Sequence, residues 1–159
     1  MIVVSDTSPI SNLLQIGEID LLRQVFGKIV IPTEVFVEIC RIESHKEFLI
    51  KQDWIKTATL SNTNLKNSLL NNLDSGEAEA IALAVELKAD YLLIDEIKGR
   101  QIAENYGIKV TGILGVLIKA KKDGLITELK PYLQRLVNDA GFWLNPKLIK
   151  KILEMVNEN

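Results

Sequence analysis

The sequence predicts an α/β protein: a central parallel sheet with helices on both faces, a three-layer α/β/α sandwich carrying additional C-terminal helices. Three observations support this. Short apolar runs, Ile2–Val4, "KIVI" at 28–31 and "YLLI" at 91–94, alternate with helix-length segments. The runs lack the in–out alternation of a strand with one wet face, so they suit strands buried on both sides. Strands separated by helices also make crossover units, which favour parallel pairing.

The elements follow in order. Ile2–Val4 is the first strand. In "SDTSP", Ser8 offers an N-cap and Pro9 a first helical residue, so a helix is expected over Pro9–Gln15, ending near Gly17. A second helix spans Ile19 to Val25. Lys28–Ile31 is the second strand, and Pro32 starts a helix that runs to Arg41. A short strand or edge segment is expected around Trp54–Thr57. "LSNTNLKNSLLNN" reads as a polar helix, and "LDSGEAEAIALAVELKAD", rich in alanine and leucine, as the strongest helix. "YLLID" is a strand, "EIKGRQIAENYG" a helix closed by Gly107, and "IKV" the last strand. Three helices finish the chain near 111–122, 127–139 and 146–157. Residues 1–159 are expected to form one domain, with 111–159 as a helical extension. Its apolar stripes, Leu129, Leu133, Leu136 and Val137, then Leu148, Ile152 and Met155, suit either core or an interface.

Composition narrows the chemistry. No apolar run reaches the roughly 18–20 residues of a membrane span, and no basic segment precedes the apolar opening. No membrane contact and no signal peptide are therefore expected. The lone cysteine, Cys40, excludes an internal disulfide and suits a reducing cytoplasm; it is expected in the packing. The lone histidine, His45, is expected at the surface, where it supports neither a zinc site nor a Ser-His-Asp arrangement. Catalysis must rest on carboxylates and hydroxyls. Clustered carboxylates imply a hard cation, magnesium or manganese.

The net charge of −2 is not that of a general nucleic-acid coat. It is uneven, however. Residues 1–110 carry 11 basic and 16 acidic side chains, and residues 111–159 carry 8 and 5. An acidic body with a mildly basic tail permits phosphate contacts without requiring them.

In open parallel sheets, ligands bind beyond the carboxyl ends of the strands. Asp6 follows the first strand there, and Asp95 ends "YLLI" there, with Glu96 next to it. Each also suits a turn or a helix cap. "DSGE" has capping-box spacing, with Asp74 as N-cap and Glu77 at the third helical position. Yet Glu77 shares a helical face with Ile81, Ala84, Val85 and Lys88, a mostly apolar stripe that should face the sheet. Glu38 shares a face with Val35, Ile39 and Ile42 in the same way. Glu34, a turn earlier, suits a surface partner of Arg41 or Lys28. Four carboxylates, Asp6, Glu38, Glu77 and Asp95, thus converge on one end of one sheet. Crowded like charges repel, and a divalent metal relieves them. Such a metal suits phosphodiester hydrolysis. Ser5, Thr7 and Ser8 supply hydroxyls that can orient the carboxylates or waters.

"SDTSPISNLL", "IPTEVFVEI", the stretch from "LDSGEAEAIALAVELKADYLLIDEIKGRQIAENYG" through "IKVTGILGVLIKAKKDGLI", and "GFWLNP" together resemble the PIN-domain superfamily. Within it the chain looks closest to a VapC-like ribonuclease toxin subfamily with an extended helical C-terminus. The likeness covers nearly the whole chain and is most specific over 73–126. It implies a PIN-like fold and a metal-dependent ribonuclease whose acidic residues correspond to Asp6, Glu38, Glu77 and Asp95. It also implies an RNA substrate, a small antitoxin as partner and a homodimer. The chain departs from the "TxD" of the familiar toxins: it has "LIDEIKGR", so Asp95 and Glu96 share or exchange the fourth role.

The expected activity is endonucleolytic hydrolysis of single-stranded or loop RNA with Mg2+ or Mn2+ held by Asp6, Glu77 and Asp95. Glu38 completes the cluster, and Thr7, Ser8 and Glu96 support it. Lys98 and Arg100 are candidate RNA contacts, and Lys119, Lys121 and Lys122 a second phosphate patch. Trp54, Phe142 and Trp143 can stack bases or fill core. Gly112 and Gly115 do not make a phosphate loop, since no GK[ST] follows. The alternatives are a non-catalytic PIN-like partner-binding module and a magnesium-dependent phosphatase or receiver. A phosphatase nucleophile wants a second Asp two residues on, where this chain has Ser8; a receiver wants a late lysine, for which Lys109 is a poor match.

Overall fold

Val3–Ser5 (β1) is buried along its whole length and is the middle strand of the sheet. The computed structural model describes residues 1–158. After β1 come α1 (Thr7–Gln15), α2 (Asp20–Phe26), β2 (Ile29–Pro32), α3 (Thr33–Ile39) and α4 (Glu43–Leu49). β3 (Ile55–Ala58), α5 (Asn64–Leu69), α6 (Ser75–Glu86), β4 (Tyr91–Leu93), α7 (Ile97–Asn105) and β5 (Val110–Thr111) follow. The chain finishes with α8 (Ile113–Lys122), α9 (Lys130–Asp139) and α10 (Pro146–Met155).

Among the described residues the five strands form one wholly parallel sheet in the order β3-β2-β1-β4-β5. Helices flank it, so the molecule is the expected α/β sandwich. In register, Val4 is opposite Val30 on one side and Leu92 on the other. Strands bounded by neighbours and covered by helices cannot show a polar face, which is why Val3, Val4, Ile29, Ile31, Leu92 and Leu93 are all buried. One apolar cluster runs from Val3 to Leu153 and takes in Leu129, Leu133 and Leu136 of the C-terminal region. Each fully buried Leu or Ile contributes roughly 1.5–3 kcal/mol.

Several expectations shift. Asp6, not Ser8, holds the N-cap position of α1, and the helix starts at Thr7 rather than Pro9. Pro9 fits because the first-turn amides have no intrahelical partner to lose. The helix expected from Pro32 to Arg41 stops at Ile39, and α4 follows as a separate helix that was not expected. His45 is the reason α4 is hidden in the sequence. It was expected at the surface, yet it is 7% exposed and packs inward with Leu49. A polar residue on the inner face obscures the apolar period. Burial lowers the His45 pKa and so favours the neutral ring. Cys40, at the end of α3, is half-buried against the core. Trp54 is core, and its indole donates to Gln52.

The C-terminal helices are tied down by charge. Arg135 of α9 pairs with Glu18 at 2.9 Å and also donates to the Ile16 carbonyl. Glu158 accepts from Lys121 Nζ and from the Leu129 amide, both at 2.7 Å. No described helix is long and apolar enough to cross a membrane. Asn159, the last residue of the expected domain, lies outside the described residues.

Candidate active site: an acidic cleft at the carboxyl edge of the sheet

β1 and β4 are neighbours, but the chain proceeds from β1 to β2 on one side and from β4 to β5 on the other. A crevice opens where the order reverses. Asp6 directly follows β1, and Asp95 stands two residues beyond β4. The Asp6 amide donates to the Leu93 carbonyl at 2.9 Å, which fixes the backbone across the switch point.

Asp6 is 6% exposed. It sits at an N-cap, but its side chain makes no capping hydrogen bond, so the carboxylate is left to the crevice. Burial pushes its pKa up to about 7; the Thr7 amide opposes this, and the charges of Asp74, Glu38 and Asp95 add to it. Glu77 is the third residue of α6. Its backbone N–H donates to Asp74 Oδ1 at 2.8 Å, as in a capping box, but its side chain does not complete the box. Glu77 Oε2 is buried and has no hydrogen-bond partner. Burial first, then Asp74, Asp6 and Glu96, push the Glu77 pKa up to about 8.

Glu38 reaches the crevice from α3 and accepts a 2.6 Å hydrogen bond from Thr7 Oγ1. It can do so because residue 76 is glycine: a Cβ there would lie 2.6 Å from Glu38 Oε1. Asp95 is held by the Ile113 amide, the first of α8, at 2.8 Å, with Ser8 Oγ at a longer 3.4 Å. Burial raises its pKa, while Ile113, Ser8 and the Arg100 charge oppose the rise. A glycine again makes the room: a Cβ on Gly112 would lie 2.5 Å from Asp95 Oδ1.

The resulting cleft has a volume of about 560 Å³ and is lined by Asp6, Thr7, Ser8, Glu38, Asp74, Glu77, Asp95, Glu96, Ile97, Phe142 and Trp143. Six of these are acidic and none is basic. The four carboxylates singled out in the sequence and their supports Thr7, Ser8 and Glu96 therefore meet in one place. Glu96 also caps α7, accepting from the Lys98 amide at 3.2 Å. Ser5 does not join them: its hydroxyl donates to the Asp6 carbonyl.

The expected phosphate contacts fall elsewhere. Lys98 is exposed and Arg100 half-buried beside Asp95, and neither lines the cleft. Lys119 is paired with Asp123 at 3.0 Å and Lys121 with Glu158 at 2.7 Å, so the second patch is largely neutralised. Glu34 was expected to pair with Arg41 or Lys28; instead its amide donates to Glu79 Oε1, and Glu79 holds Lys66 at 2.6 Å. Sequence reasoning took Asp74 only as a cap and missed it as a sixth acidic wall residue. Its position four residues ahead of Ala78, at the head of a buried helix, was the available signal.

The donor set suits a hard divalent cation. The oxygens are carboxylates, their charges are unbalanced, and one buried oxygen of Glu77 lacks any partner. Among the described residues no three Asp, Glu, His or Cys side chains stand close enough to enclose an ion by themselves.

A family model of the PIN domain matches residues 2–158. The fold is similar to that of a solved PilT N-terminus domain protein from the hyperthermophilic archaeon Sulfolobus solfataricus P2. The two are 22% identical, with a TM-score of 0.58 over 76% of this chain and 93% of that one. No curated protein sequence matches the chain closely enough to count as a relative. The chain belongs to the PIN domain family, whose members are in general metal-dependent nucleases.

Proposed function

We propose that the protein is a metal-dependent endoribonuclease that hydrolyses phosphodiester bonds of single-stranded or loop RNA. The observation that carries this reading is the cleft at the switch point: six acidic side chains, no basic one, and a buried Glu77 oxygen without a partner. A divalent cation relieves the repulsion within such a cluster. Asp6, Glu77 and Asp95 are the residues to hold Mg2+ or Mn2+, and Glu38 completes the acidic wall. A divalent cation in such a site supplies Lewis acidity toward water and toward the phosphoryl oxygens.

The chain's own groups do the positioning. Thr7 orients Glu38, and the Ile113 amide with Ser8 orients Asp95. This leaves the remaining carboxylate lone pairs to the crevice. Glu77 and Asp6, raised toward neutral pKa by burial, give up their protons when a cation compensates them. A metal-free cleft repels phosphates, so cation and RNA bind together.

The toxin role, with a small antitoxin entering the acidic groove, rests on the likeness to VapC-like toxins over 73–126 and the N-terminal segment. An antitoxin segment with a basic side chain would suit the cleft. A homodimer, a cytoplasmic location, and a single domain in which 111–159 is an extension belong to the same reading; the shared apolar cluster supports the last. A binding module without catalysis is the second reading, favoured by the lack, among the described residues, of three acidic, His or Cys side chains grouped closely enough to hold an ion.

The test is cleavage of a mixed RNA pool by the wild type and Asp6→Asn, with magnesium, manganese or EDTA. Metal-dependent cleavage lost in the variant is expected. Full cleavage by Asp6→Asn would remove the site assignment, and a folded wild type that binds metal but cuts no RNA would favour the binding module.

A further inference from the structure

Trp143 is 79% exposed, the most exposed large apolar side chain among the described residues, yet it forms part of the cleft wall. Leaving an indole in water forgoes a large burial gain, so its placement calls for a partner. It lies in the connection between α9 and α10, and that connection is fastened. The Phe142 amide donates to the Leu136 carbonyl at 2.9 Å. Leu144, 8% exposed, anchors the far side in the core. Asn145 then caps α10, accepting from the Lys147 amide at 2.9 Å. Leu144 points in and Trp143 points out, on a backbone held at both ends.

The chemistry of the cleft says what the ring is for. No lining residue is basic, and the charge of Arg100 behind the wall is taken up by Asp95, so drawing in phosphates falls mainly to a cation held by the carboxylates. A polyanion needs another source of affinity close to the acidic wall. A flat, uncharged aromatic face provides it by stacking on a nucleobase, which does not depend on neutralising phosphate. A base inside a duplex offers no free face. We propose that Trp143, with Phe142 beside it, is a stacking platform for one unpaired nucleobase next to the bond to be cut, and so restricts the site to single-stranded nucleic acid. This rests on the ribonuclease reading and adds how that site chooses its substrate.

The two tryptophans make the test direct. Trp54 is 6% exposed and shielded, whereas Trp143 is open. Tryptophan emission of the otherwise wild-type protein is titrated, with magnesium present, with a phosphorothioate-linked strand of mixed sequence that resists cleavage, either free or paired to its complement. The single strand, as RNA or DNA, should quench the emission, and the duplex should not. Trp143→Phe should remove the quenchable component and leave that of Trp54. In the otherwise wild-type enzyme, Trp143→Ala should raise KM for RNA by about 5- to 100-fold, with kcat nearly kept, and Trp143→Phe should restore most of the KM. Unchanged melting temperatures would show that the loop is intact. Cleavage by the wild type with no quenching and no KM change in Trp143→Ala would overturn the platform and leave the nuclease standing; Trp143 would then be a contact for a protein partner. Quenching without cleavage by the wild type would do the reverse.

Discussion

Thr7 Oγ1 donates to Glu38 Oε2 at 2.6 Å, so the first residue of α1 holds a carboxylate delivered from α3. The bond joins two helices that precede and follow β2 in the chain and pack on each other. Thr7→Val keeps the shape and removes the donor. Metal affinity and cleavage should fall about tenfold, with Thr7→Ser restoring most of both. Titrating cleavage rate against magnesium for the three proteins checks this, and unchanged curves would make Glu38 independent of Thr7.

Stability without metal should fall as pH rises. Asp6 moves from 3.8 to about 7 on folding and Glu77 from 4.5 to about 8. The folded state binds these protons more tightly than the unfolded state. Their favourable contribution is therefore complete below the unfolded pKa values and is lost as pH climbs through about 7 to 8. In EDTA the melting temperature should be higher at pH 5 than at pH 8. Magnesium should raise it at pH 8 and do little at pH 5, as thermal melts across pH would show.

Asp6→Asn should stabilise the metal-free protein at pH 8 while abolishing cleavage. The amide removes a buried charge that nearby Asp74, Glu38 and Asp95 oppose. A gain of several degrees in EDTA is expected, with no further rise on adding magnesium. A loss of stability in EDTA would mean that the Asp6 carboxylate is structural.

Gly76→Ala should damage activity more than folding. The added Cβ would meet the carboxylate of Glu38, the movable end of a side chain, rather than backbone. Glu38 should swing off Thr7, and cleavage should drop roughly tenfold or more. The melting temperature should change by only a few degrees. A collapse in stability with kcat preserved in the folded fraction would reverse the assignment.

Lys66→Met should cost on the order of 3 kcal/mol, because it strands Glu79. Glu79 is 7% exposed and is paired with Lys66 at 2.6 Å. Only the Glu34 amide would remain to satisfy it. Denaturant unfolding measures the loss, and the double variant Lys66→Met with Glu79→Leu should recover much of it.

Strand positions are legible in this sequence because fully buried parallel strands must be apolar on both faces, as β1, β2 and β4 are. Asp6 and Asp95 are legible because a carboxylate just past such a strand has one evident place to go. α4 is not legible, since its inward face carries His45. Asp74 hides behind its own role: the spacing that identifies it as a cap says nothing of the wall it also forms. Lys98 and Arg100 are near Asp95 in sequence, yet Lys98 stands exposed outside the cleft wall while Arg100 lies beside Asp95 itself, which neighbouring position alone cannot reveal. Phe142 and Trp143 reach the cleft through a contact more than forty residues from the nearest acidic wall residue, and no periodicity encodes such a distance.

The strand order has a consequence for timing. β1 is made first, but its partner on the cleft side is β4, with Val3 opposite Tyr91. Asp95 is then seated only once Ile113 exists to hold it. At about 5–20 residues per second, a growing chain carries Asp6 for several seconds before the opposing carboxylate is even made. The groove is thus one of the last things synthesis completes. A nascent chain cannot bring its two strand-end carboxylates together until most of it has emerged.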